Sequence, residues 1–253
     1  RLPPMWVHAP GNAGQPEYPL GTDIFGRDVL SRLLFGTRTA FVLALTAVPI
    51  TALLGTLLGL AAGHFGGRVD AVFQFLTETL QSLPGLMLLV ILIIIIRSRL
   101  EPTWLNGLLA LGLGYAAISW VNLARQVRMN VLLVKGKLFI EAAISLGATD
   151  WRIITRHLLP NILHVVLAWI VNNIPAIILL EAVLGYIRVS LTSTSADNDF
   201  TAISWGGMFS AGWSAMKWNP LILIIPSLCI LLLSMSFIML ADFIRSASRP
   251  DEG

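Results

Sequence analysis

Five apolar runs decide what this chain can fold into. They cover roughly Thr39 to Ala62, Val72 to Ile96, Leu105 to Leu123, Ile162 to Tyr186 and Leu221 to Phe243, each near the roughly 20 residues that a helix needs to cross a hydrocarbon layer of about 30 Å. Charged residues make up only 12% of the 253 positions and hydrophobic ones 56%, too few charges to cover the surface of a water-soluble domain. The chain is therefore an all-α polytopic membrane bundle. Gly55, Gly59, Ala61 and Ala62 give the first run a small-residue face suited to close helix packing, and Pro84 with Gly85 interrupts the second. The formal charge of +3 fits basic loops at a membrane; no basic aromatic patch supports nucleic-acid binding. The lone Cys229 lies inside the last run, which excludes an internal disulfide or a cysteine metal site.

Between the third and fourth runs lies EAAISLGATDWRIITRHLLPN, Glu141 to Asn161. Both halves are helical in pattern, yet neither is apolar enough to enter a bilayer, so the stretch sits outside it. Ala142 and Ala143 allow close backbone approach, Gly147 permits the positive φ that ends a helix, and Thr149 or Asp150 can cap the next one. Two short helices meeting at an angle are expected, with Pro160 closing the unit and starting the return into the membrane.

This stretch resembles the EAA signature of binding-protein-dependent ABC importer permeases, with Glu141, Ala142, Ala143, then Gly147 six residues after the glutamate, then Leu159 and Pro160. His157 stands where the general signature has an aliphatic residue, and the string RHLLPN is similar to the peptide-transporter branch. A second string, GTDIFGRDVLSRLLFG, resembles the segment that precedes the permease core in the dipeptide, oligopeptide and nickel branch. The resemblance covers nearly the whole chain from Leu20 to Arg245. It implies a type I importer permease fold that pairs with a homologous permease and docks two ATP-binding cassette subunits. An extracytoplasmic substrate-binding protein would deliver the cargo. Glu141, Ala142, Ala143, Gly147, Ala148, Asp150, Arg152, Leu159 and Pro160 would form the ATPase-coupling elbow.

Lysine and arginine in the loops set the orientation. The connection from Arg125 to Arg156 is the most basic and is placed in the cytoplasm; alternation puts residue 1 outside and the C-terminus inside. The expected layout is an extracytoplasmic linker at 1–19, an amphipathic interfacial helix at 20–38, a transmembrane permease domain at 39–246 with five spans and the elbow at 141–160, and a cytoplasmic tail at 247–253. Arg27, Asp28 and Arg32 could pair on one face of the interfacial helix. The resemblance also implies a further transmembrane helix before Arg1. The expected location is the cytoplasmic membrane of a bacterium or archaeon.

Acids inside a membrane call for a functional reading. Glu181 lies in a run that resembles the family's path-lining LLEA segment, beyond Pro175 and the amides of Asn172 and Asn173. Glu78 lies before Pro84 and is expected to pair with another helix or to sit near the cytoplasmic face. Trp205 belongs to a small, aromatic segment, SWGGM, similar to one that lies under the docked binding protein in the family. Glu181, Asn172, Asn173, Glu78 and Trp205 are the candidate path residues. No GxxxxGK[ST] loop is present, so ATP and Mg are expected on partner subunits and no cofactor on this chain. No catalytic set is apparent, and no metal site is expected.

Three readings follow. The first is the permease subunit of a di- or oligopeptide importer. The second is a nickel or metal-chelate importer of the same branch, which these residues do not separate from the first. The third is an ion-coupled carrier using Glu78 and Glu181, which has no need of an EAA-type elbow.

Overall fold

The computed structural model describes residues 4, 8–9, 12–13, 15–23, 26–101, 103–187, 203–216 and 219–247. Helices dominate. Near the N-terminus, β1 (His8–Ala9) and β2 (Asn12–Ala13) form a short antiparallel ladder. The helices are α1 (Val29–Phe65), α2 (Gly67–Ser82), α3 (Gly85–Arg97), α4 (Trp104–Lys135), α5 (Leu138–Ser145), α6 (Asp150–Ile153), α7 (Leu159–Tyr186), α8 (Trp205–Ala215) and α9 (Leu221–Ala247). A π-helical turn, Ile154–Leu158, joins α6 to α7.

Among the described residues, four stretches are long and apolar enough to cross a membrane: Val29–Phe65, Leu105–Lys135, Asp150–Tyr186 and Leu221–Ser246. The second apolar run of the sequence instead forms α2 and α3, which bend by 93° at the break before Gly85 and pass the same test only as a pair. Proline at position 84 lacks an N–H and disfavours helix at Leu83 before it, whose backbone is extended (φ −94°, ψ 144°).

The sequence expectation of a separate surface helix at 20–38 needs correction. Val29 begins α1, which runs through to Phe65 without a break. Residues 20–23 and 26–28 form a turn stabilised by Asp23, which is 2% exposed. Its carboxylate accepts from the Arg27 backbone N–H at 2.9 Å and from Arg27 Nε at 2.8 Å, with Arg32 Nε at 3.8 Å. Asp28, expected to pair with an arginine along a helix face, instead caps α1 by accepting from the Ser31 N–H at 2.8 Å. Likewise α4 continues past Arg125 and Arg128 to Lys135. Of the tail expected at 247–253, residues 248–253 lie outside the described residues.

The chain divides into two compact units. In one, formed by 1–46, 94–111 and 174–236, the beginning of α1 meets α8. Trp205 Nε1 donates to the Leu33 carbonyl at 3.1 Å, its ring lies over Gly36, and Thr39 Oγ1 donates to the Ile203 carbonyl at 2.7 Å. Gly36 has no side chain for a physical reason: a Cβ there would lie 2.6 Å from the indole. Leu43, Ile177, Ile178, Leu184, Met208 and Ile222 are fully buried here.

In the other unit, formed by 47–93, 112–173 and 237–253, α1 lies directly on α4. Gly55, Gly59 and Gly63 recur every fourth residue on one face, and a Cβ on Gly59 would come within 2.4 Å of the Ala124 carbonyl oxygen. This is the small-residue packing that replaces the hydrophobic drive between helices in lipid. Arg128 of α4 forks onto Asp70 of α2, Nη2 to Oδ2 at 2.6 Å and Nε to Oδ1. Phe73 packs edge-on against Trp120 beneath it.

Candidate functional site

The polar stretch after α4 folds into an elbow. Gly136 and Lys137 separate α4 from α5, which carries Glu141, Ala142 and Ala143 in its middle. Its end is a Schellman turn: the Gly147 N–H donates to the Ile144 carbonyl at 2.9 Å and the Ala148 N–H to the Ala143 carbonyl at 3.0 Å. Gly147 adopts φ 80°, a left-handed conformation that costs a side-chain-bearing residue energy. Thr149 then caps α6, its hydroxyl accepting from the Arg152 N–H at 3.4 Å. One turn of α6 leads through the π-helical turn straight into α7. Pro160 therefore sits inside a continuous helix, just past the π turn, and the second arm of the elbow is the start of that span. The π turn falls where the proline ring's missing N–H already interrupts the ladder, and Asn161 Nδ2 donates to the His157 carbonyl at 2.7 Å.

Burial on the elbow is one-sided. Ile140, Ile153 and Leu158 are buried, which fixes its inner face. Outward stand Leu138 at 81% exposure, Leu146 at 88% and Trp151 at 75%. Glu141, Ala142, Gly147, Asp150, Arg152, Leu159 and Pro160 are exposed with them, and Ala143 and Ala148 are half-buried. Large apolar side chains exposed among polar residues are a feature of interaction surfaces.

A residue outside the sequence-predicted site is central here. His64, in the last turn of α1 and 5% exposed, meets Asp150 Oδ1 through Nε2 at 2.9 Å. Its backbone carbonyl accepts from Lys135 Nζ at 2.5 Å. The signal that was available is the Gly-Gly pair that follows: Gly66 and Gly67 both have positive φ and turn the chain into α2.

The candidate path residues divide between the two units, Glu181 and Trp205 in one and Glu78, Asn172 and Asn173 in the other. Glu181 and Trp205, both candidate path residues, are 2% and 3% exposed. Glu181 Oε2 accepts from the Gly206 N–H at 3.3 Å, while Oε1 has no hydrogen-bond partner. Asn173 spans two helices instead: its Oδ1 accepts from Tyr115 Oη at 2.8 Å and its Nδ2 donates to the Trp169 carbonyl at 2.8 Å. Asn172 is half-buried. Glu78 is exposed on α2 and forms no ion pair among the described residues; α2 turns its buried face, Phe73 and Thr77, the other way.

Long apolar spans joined by a polar elbow define a multi-pass membrane protein. The chain belongs to the family of binding-protein-dependent transport system inner membrane components, which it matches over residues 55–250. It is 33% identical to the dipeptide transport system permease protein DppC of Lactococcus lactis, over 98% of this chain and 72% of that protein. With the oligopeptide transport system permease protein OppC of Haemophilus influenzae it shares 30% identity, over 92% of this chain and 70% of that one. With the glutathione transport system permease protein GsiD of Pectobacterium atrosepticum the figures are 32%, 91% and 72%. Among solved structures, a chain of the inward-facing MetNI methionine ABC transporter shares the fold, with a TM-score of 0.57 at 17% identity, covering 88% of this chain and 94% of that one.

Proposed function

We propose that this chain is the permease subunit of an ATP-driven importer of di- or oligopeptides, in which the elbow docks a cytoplasmic ATPase. The observation that carries the reading is the exposed knob of Leu138, Leu146 and Trp151 on an elbow whose inner face is anchored by Ile140, Ile153 and Leu158. Large apolar groups held rigidly outside the spans are suited to enter a groove on a partner. In this reading a homologous permease completes the pathway, two ATPase subunits bind ATP and Mg, and an extracytoplasmic binding protein delivers the peptide. The elbow and C-terminus are then cytoplasmic and residue 1 extracytoplasmic. Relatives that transport dipeptides, oligopeptides and glutathione support a peptide cargo.

ATP hydrolysis elsewhere in the assembly would move the elbow, and the elbow would carry α4 and α7, to which it is continuous through Gly136 and the π turn. The test is co-purification. Leu146→Asp and Trp151→Asp, both at exposed positions, should insert into membranes as the unsubstituted chain does and lose the ATPase partner. Retention of the partner by both variants would overturn the docking surface. Uptake that persists without ATP and collapses with the proton gradient would favour an ion-coupled carrier.

A further inference from the structure

We infer that His64 is a positioning residue for coupling: its bond to Asp150 fixes the elbow to the end of α1. The inference rests on the docking role proposed for the elbow, but its geometry stands independently of it.

The elbow's other polar side chains bond locally. Ser145 donates to the Glu141 carbonyl, Thr155 to that of Trp151 and Asn161 to that of His157, each four residues back, and Thr149 caps its own helix. Among the described residues, the His64–Asp150 contact is the one side-chain hydrogen bond or ion pair that joins residues 138–161 to another element. It spans 86 positions of sequence. Apolar burial also holds the elbow, but it is non-directional and lets surfaces slide. A hydrogen bond with its donor and acceptor on short side chains does not.

Both partners are suited to such a link. Asp150 is the first residue of α6, where a carboxylate is stabilised by the exposed amides of the helix start. Histidine and aspartate each have only two side-chain torsions, so little slack separates the two backbones. His64 is held from behind as well, because Lys135, the last residue of α4, donates to its carbonyl. Nδ1 of His64 is buried without a partner, so Nε2 supplies the ring's whole connection. The end of α1, the end of α4 and the start of α6 thus meet at one residue, and a displacement of the elbow reaches α1 through it.

The assembled complex with its ATPases, in lipid nanodiscs and with Cys229→Ser, tests this. Nitroxides are placed at Leu57→Cys in α1 and Ile144→Cys in α5, both exposed positions. Their distance distribution is measured nucleotide-free and after vanadate trapping of ADP. With His64 present, the distribution should be narrow and the same in both states. His64→Leu should broaden it in the nucleotide-free state and shift it on trapping, and lower ATP hydrolysis stimulated by loaded binding protein by roughly fivefold. His64→Gln, which keeps an N–H donor at similar reach, should restore both. Asp150→Ala, at an exposed position, should reproduce His64→Leu, and the double variant should be no worse than either single one. Unchanged distributions in His64→Leu or Asp150→Ala, or additive effects in the double variant, overturn the inference. If no ATPase accompanies the unsubstituted chain, the docking reading falls, and the nucleotide-free distributions still decide whether His64 fixes the elbow.

Discussion

Gly185 and Gly206 meet backbone to backbone: a Cβ on Gly185 would lie 2.4 Å from the carbonyl carbon of Gly206. The same approach brings the Gly206 N–H to the Glu181 carboxylate. Gly185→Ala or Gly206→Ala must push α8 away from α7 and should lower stability by roughly 1–3 kcal/mol. Thermal unfolding of the purified protein measures it. Gly207→Ala, whose Cβ would meet Ser204 Oγ at an ordinary 3.5 Å, should leave the transition almost unmoved.

A graded series is expected along α1. The methyl of Gly59→Ala would press a carbonyl oxygen at 2.4 Å, whereas that of Gly55→Ala would meet its nearest atoms at 3.0 Å. Gly59→Ala should be the more destabilising, and Gly59→Leu should prevent α1 from packing on α4. Equal unfolding temperatures for the two alanine variants would show that the helices separate easily.

The role of Glu181 can be isolated by two replacements. Glu181→Gln keeps an oxygen that accepts from the Gly206 N–H and should cost little. Glu181→Leu leaves that buried donor without a partner and should cost roughly 1–3 kcal/mol. Limited proteolysis near α8 should accelerate in the leucine variant alone; the same rate in both would mean that Glu181 does not hold the start of α8.

Arg128 and Asp70 form a forked ion pair in which geometry matters as much as charge. Arg128→Ala should destabilise the chain by roughly 1–3 kcal/mol, and Arg128→Lys, which keeps the charge and loses the fork, should fall between it and the unsubstituted protein. Denaturation in detergent of the two variants orders them.

Features governed by neighbouring residues were legible in the sequence. Gly147 as the end of a helix and Thr149 as the cap of the next follow from backbone conformation and a side chain three residues away, and both are found. The apolar runs gave the helices because length and hydropathy suffice for that. What eluded it was contact at a distance. Nothing local to Glu181 shows that its carboxylate meets an amide 25 residues on, or that Trp205 reaches back 172 residues to Leu33. Asp28 reads as a pairing charge because helix periodicity extends across it, whereas the turn held by Asp23 delays the start of the helix until Val29. Pro84 announced an interruption, but a proline in a pattern does not state an angle.

That angle bears on where this molecule can be wet. With 13 residues, α3 is about 20 Å long, shorter than the roughly 30 Å of hydrocarbon it would have to cross alone. At the bend the ladder lapses, and although Ser82 Oγ serves the Thr79 carbonyl and the Leu88 N–H serves that of Pro84, the remaining carbonyls at the end of α2 need donors from elsewhere. Hydrocarbon offers none. The bend consequently cannot face lipid at membrane depth, and this side of the protein is where either water or another polypeptide must stand.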